Sequence, residues 1–151
     1  MLAEVADLAH RHGATVDKFI GDCAMVVFGA PEPLPPEEQV RRALALATEI
    51  HACIPRIGAE HGLQARTGIN IGESVVGNFG SVNRSDYTVI GPAVNVAARL
   101  EGKSRPGAIL VGASAVAHLP DRTGLVSAGE LQLKGVSAPV EGFFYTPPPR
   151  G

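Results

Sequence analysis

At 151 residues and 45% hydrophobic, the chain is long enough for one domain with its own core. With no tryptophan and 5% aromatics, that core is mostly aliphatic. A net charge of −2 and a pI of about 6.2 give no global attraction to nucleic acid or an anionic membrane, so any phosphate ligand has to be held by a few placed cations. No apolar run approaches the roughly 18 residues of a membrane span, and no basic-then-apolar leader opens the chain. The two cysteines, Cys23 and Cys53, form neither a zinc pattern nor a disulfide framework, which fits a reduced, cytoplasmic setting.

Leu2, Val5, Ala6 and Ala9 recur at helical spacing and predict an amphipathic helix that Gly13 stops. From Lys18 to Gly29, KFIGDCAMVVFG predicts two short apolar strands folded over a Gly21-Asp22 turn. A carboxylate at the tip of a buried hairpin is well placed to hold a hard cation. It equally suits a plain turn in which Asp22 satisfies local N–H groups. Cys23, inside the strand, is expected to pack. Residues 30–36, APEPLPP, are a loop, and Pro36 with Glu37 and Glu38 suits the start of a helix from about 37 to 60, which Pro55 kinks or ends early.

The run RTGINIGESVVGNFG, 66–80, predicts strands around Ile69, Ile71, Val75 and Val76, with glycines for turns or bulges. DYTVIG, 86–91, is a further strand. Pro92 opens a helix whose stripe is Val94, Ala97, Ala98 and Leu100 and which Gly102 ends. A strand at 109–111, a short helix at 113–119 and a closing strand pair at 124–134 and 140–146 follow. Hairpins mixed with crossovers favour an α+β sandwich over a doubly wound parallel sheet.

Two further groups of residues bear on chemistry. In VNVAARLE, 94–101, Asn95 and Arg99 lie four apart on one helix face. An amide and a guanidinium there suit a sugar and a phosphate, since the guanidinium fork gives paired charge-assisted donors. The plain alternative is a solvated face with Arg99 paired to Glu101 or another carboxylate. In LQLKG, 131–135, Lys134 at a strand end is either a point charge for a polyphosphate or an ordinary surface lysine. The histidines at 10, 12, 51, 61 and 118 show no metal spacing, and GINIG lacks the Gly-Lys-Ser/Thr ending of a P-loop.

KFIGD at 18–22, GINIGESVVGNFGS at 68–81, DYTVIGPAVNVAARLE at 86–101 and LKG at 133–135 occur in that order. This combination resembles the class III nucleotidyl cyclase catalytic domain over residues 1–146, leaving 147–151 as a tail. The resemblance implies a ferredoxin-like βαββαβ-type sandwich. It implies a phosphorus–oxygen lyase that converts ATP to 3′,5′-cyclic AMP and pyrophosphate by in-line attack of the ribose 3′-oxygen, with two Mg²⁺ or Mn²⁺ ions. It also implies roles for single residues. Asp22 would be one of two metal-binding aspartates, Lys18 and Thr88 would read adenine, and Asn95 would orient the ribose. Arg99 would stabilise charge at the α-phosphate, and Lys134 would hold the outer phosphates. Guanine-specific members typically carry an acidic residue where Lys18 stands, and Thr88 replaces the Asp of many adenylate cyclases.

Family sites form across a head-to-tail dimer. A homodimer, or a pair with a second cyclase subunit, is therefore the expected assembly. The resemblance also departs from the pattern in two places. Pro92 stands where many relatives have Asp or Asn. Nothing matches the family's N-terminal Phe-x-Asp-Ile strand, which carries the other metal aspartate. The expectation is a sandwich truncated at its N-terminus and weak or inactive alone. The alternative is a non-catalytic nucleotide-binding or dimerising module that complements a complete cyclase subunit. A diguanylate cyclase is disfavoured because its hairpin reads Gly-Gly-Asp/Glu-Glu-Phe, which IGDC does not match.

Overall fold

A computed structural model of the chain describes residues 2–30, 32–78 and 87–147, with the side chains of 75–78 and 87–90 left aside. Helix α1, Leu2–Arg11, buries Val5, Leu8 and Ala9. After Gly13, in the left-handed region at φ 77°, the chain enters β1, Thr15–Ile20, which pairs antiparallel with β2, Cys23–Val27.

Helix α2, Pro36–Ile57, is the spine of the fold because it carries two apolar stripes. Val40, Leu44 and Ala47 pack with Ile69, Ile109 and Val111 of a four-stranded sheet. Leu46, with Ile50 and Cys53, packs instead with Leu8, Ala9 and Ala14 and with Val16, Val26 and Phe28 of the hairpin. Each fully buried aliphatic side chain contributes about 1.5–3 kcal/mol, so α2 holds both halves of the molecule. Its first turn begins at Pro36, whose missing N–H is unpaired there anyway. Glu38 accepts from Arg42 Nε at 2.8 Å and also from Arg41. The helix passes through Pro55 and ends two residues later, so the lost hydrogen bond is confined to its last turn.

The larger sheet has the order β3-β6-β8-β7, built from β3 (Thr67–Ile69), β6 (Ile109–Gly112), β8 (Val140–Tyr145) and β7 (Leu125–Leu131). β3 and β6 run parallel, and the other neighbours are antiparallel. All four residues of β6 are buried. Between β3 and β6 the chain forms the antiparallel pair β4, Val75–Asn78, and β5, Tyr87–Ile90, and then α3, Pro92–Lys103. Helix α3 lies close on β3: a Cβ at Gly68 would stand 2.3 Å from the Glu101 backbone nitrogen and 2.5 Å from the Ala97 carbonyl oxygen. Helix α4 is Ala113–Val116. Among the described residues no helix is long and apolar enough to cross a membrane.

The mixed α+β expectation holds, with local corrections. Helix α3 runs through Gly102 to Lys103, and α4 has four residues instead of the seven expected. The hairpin is not buried at its tip: Phe19 is 43% and Ile20 65% exposed. The apolar cluster reaches Val16 and Val26 at the open end only, and the turn end projects beyond it. Cys23, expected to pack, is exposed for the same reason.

Candidate active site

The hairpin turn is set by Gly21. Ile20 pairs with Cys23, leaving Gly21 and Asp22 as the two turn residues. Gly21 takes φ 61°, which suits a left-handed first turn position open to glycine. The Asp22 carboxylate is thereby presented to solvent at the tip. Among the described residues no group of three or more His, Cys, Asp or Glu gathers to hold a metal. The neighbouring Cys23 thiol, only partly shielded in this exposed residue, is pushed up by that partial desolvation first and then by the charges of Glu101 and Asp22, with Arg66 acting in the opposite sense. It stays protonated at neutral pH and is a poor ligand. Among the described residues Asp22 is therefore not joined by enough donors for a hard divalent ion, which takes about six oxygens.

Lys18 lies on β1, which approaches β5, the strand of Thr88. Thr88 pairs with Gly77 in the β4–β5 ladder, and its side chain lies outside the described residues. Lys18 Nζ stands 3.5 Å from Asp17 Oδ2. The sequence gives Asp17 no role of its own; the signal for it is a carboxylate directly before Lys18 in the strand TVDKFI.

Helix α3 presents Asn95 and Arg99 to solvent one turn apart, while Leu100 between them and the next turn is fully buried. The plain pairing of Arg99 with Glu101 does not occur. Glu101 is taken by Arg66, whose Nε and Nη2 lie 3.3 and 3.2 Å from its Oε1. Among the described residues no carboxylate pairs with Arg99. Lys134 is also exposed and unpaired among them, at a turn whose Gly135 has φ 81°. Leu133 and Leu100 belong to one buried cluster with Leu110. Arg99 and Lys134 each adjoin a residue of that cluster.

The N-terminal turn of α3 and the β3–β4 connection enclose an open cleft of about 770 Å³, lined by Asn70–Ser74, Gly91–Ala93 and Val96 and by none of Lys18, Asp22, Asn95, Arg99 and Lys134. Asn70 Nδ2 donates to the Ala93 carbonyl at 3.3 Å, and Ser114 Oγ donates to Asn70 Oδ1 at 3.3 Å, which ties the cleft's floor to α4. Gly72 permits the close wall, since a Cβ there would stand 2.8 Å from Ala93 Cβ.

The family model of the adenylate and guanylate cyclase catalytic domain matches residues 1–146. The chain belongs to this family. Among solved structures, the adenylyl cyclase CyaB from P. aeruginosa is 33% identical with a TM-score of 0.89, over 99% of this chain and 80% of that one. The guanylyl cyclase Cya2 is 34% identical with a TM-score of 0.81, over 95% and 75%. An uncharacterized protein of Mycobacterium tuberculosis is 38% identical over 144 residues, 91% of this chain but 26% of its own length. The chain thus spans about a quarter of that relative. The α+β cyclase sandwich expected from the motifs is the observed fold. Cyclase catalytic domains generally use divalent metals, and among the described residues no group of three or more His, Cys, Asp or Glu gathers to hold one. Because similar structures include both an adenylyl and a guanylyl cyclase, the fold does not choose the base.

Proposed function

We propose that this cyclase domain acts on ATP, forming 3′,5′-cyclic AMP and pyrophosphate at the interface of a homodimer or of a pair with a second cyclase subunit, in the cytoplasm. The observation that carries the choice of ATP is Lys18 on β1 with Thr88 on the neighbouring strand β5. Adenine N1 is an acceptor and its 6-amino group a donor, which suit an ammonium and a hydroxyl; guanine offers an N–H at position 1, which suits a carboxylate. On the phosphate side, the support is that Arg99 and Lys134 are exposed, unpaired among the described residues and anchored through adjoining leucines. Arg99 would give forked donors to the α-phosphate as charge develops, Lys134 a point charge to the outer phosphates, and Asn95 an amide to the ribose.

Asp22 would be this chain's metal-binding carboxylate for Mg²⁺ or Mn²⁺. Since no ligand cluster accompanies it among the described residues, no step of the reaction is assigned to a metal here. The same observation favours a second reading, in which this domain lends base, ribose and phosphate contacts to a partner that brings the carboxylates. The test is cyclic AMP from ATP against cyclic GMP from GTP, for this chain alone and mixed with a complete subunit, with Mg²⁺ or Mn²⁺. Cyclic AMP as the main product, weak for this chain alone, is expected. Preferential cyclic GMP sinks the adenine assignment. Activity of the mixture that survives Asp22→Ala selects the complementing module.

A further inference from the structure

Strand β1 is irregular in a way that bears on Lys18. Thr15 pairs with Val27 and Val16 with Val26, but the next pair is Lys18 with Met25, so Asp17 is an extra residue with no opposite number. Cross-strand partners share a face of a sheet. Val16 and Val26 face the cluster built on α1 and α2. Met25, next to Val26, therefore faces away from that cluster, and Lys18 goes with it. In an unbulged strand Lys18, two residues from Val16, would share Val16's face and point its ammonium beneath the helices.

The inserted residue is also the charge beside the lysine. The Asp17 side chain is completely buried, while Lys18's is 43% exposed, and their charged atoms stand 3.5 Å apart. We propose that Asp17 is a positioning residue for substrate selectivity: its bulge turns Lys18 to the face opposite the helix-packed core, and its buried carboxylate holds the ammonium where it can meet adenine. This rests on the reading of Lys18 as a base contact. A lysine on a flexible four-carbon stem can swing to guanine O6 as readily as to adenine N1. An ammonium held by a buried carboxylate cannot follow the base, and selectivity is sharpened.

The test measures the affinities of the non-cyclisable α,β-methylene analogues of ATP and GTP on the protein, together with Tm. Asp17→Asn keeps size and polarity and removes the charge. It is expected to lower the ATP-to-GTP affinity ratio roughly tenfold, as loss of one charge-assisted contact does, at an unchanged Tm. Lys18→Ala is expected to lower it at least as much, and the double variant no further, because the two act as one unit. If Lys18→Ala leaves the ratio intact, or the unaltered protein does not prefer the ATP analogue, the base reading falls and this inference with it. If Lys18→Ala lowers the ratio and a folded Asp17→Asn does not, the positioning role alone is overturned. Should Asp17→Asn fail to fold, the side-chain ammonium NMR signal of Lys18 in the unaltered protein decides. A held, slowly exchanging signal is expected, and a freely exchanging one overturns the role.

Discussion

The candidate residues fall in two regions built differently. Arg99 and Lys134 stand beside leucines that are almost wholly buried, Leu100 at 0% and Leu133 at 4% exposure, in one cluster with Leu110 of the central strand β6, and Asn95 adjoins Val96, which packs against that cluster. Lys18 and Asp22 stand on a two-stranded ribbon whose turn end carries exposed Phe19 and Ile20. If Arg99 and Lys134 hold phosphate as proposed, they must resist displacement as charge moves, and the core gives that rigidity at one residue's remove. If Lys18 reads the base as proposed, it needs direction more than stiffness, and the bulge at Asp17 turns it to the face away from the helices.

The contrast is broken most strongly at Leu100. Leu100→Ala empties a fully buried site between α3 and β6 and is expected to cost about 2–5 kcal/mol, read as a lowered denaturation midpoint, with activity falling alongside. Arg99→Ala, one residue away, is expected to behave oppositely. Its side chain is exposed, so Tm stays put, while kcat of the assembled cyclase falls about 10²–10³-fold. Equal loss of stability in the two variants would show that Arg99 is structural.

Much of this was legible in the residues. Helical spacing placed α1 and α2, the Gly21-Asp22 pair placed the hairpin turn, and Pro92 marked the start of α3. The Asn95–Arg99 face followed from a separation of four. Three things were not legible, each because it depends on contacts distant in sequence. Arg66, thirty-five positions before Glu101, takes the carboxylate that would otherwise neutralise Arg99. Exposure of Phe19, Ile20 and Cys23 depends on how far α1 and α2 extend over the ribbon, which an apolar run cannot reveal. The bulge at Asp17 depends on register against β2, which shows only once the strands are paired.

A smaller effect tests the link between α2 and the larger sheet. His51 on α2 is half-buried, with Nε2 2.7 Å from Thr67 Oγ1 on β3. Burial pushes its pKa below the ordinary 6.5, partly offset by a backbone hydrogen bond at Gly107. The folded state therefore prefers the neutral ring, whereas the unfolded chain takes up a proton near pH 6.5. Stability is full above that pH and falls as pH drops through and below it. Tm measured from about pH 7 to about pH 5 is expected to decline, and His51→Gln to flatten that part of the decline.

The smallest expected effect is at the ribbon's end. Ile20 is the most exposed residue of the hairpin's apolar run, at 65%, so Ile20→Ser removes little buried surface and is expected to change stability by no more than about 0.5 kcal/mol. Because Gly21 and the Ile20–Cys23 pair set the turn through the backbone, the Asp22 carboxylate should stay where it is. An apolar residue this exposed beside a charged turn is kept either for its strand propensity or for a surface that meets it in the assembled protein. Thermal melts of this chain alone and mixed with a complete cyclase subunit separate the two. Equal, negligible shifts fit strand propensity alone. A drop of several degrees in the mixture only would mean that the ribbon's exposed end is a covered surface in the pair, and the contrast between a buried and an open region would belong to the unpaired domain.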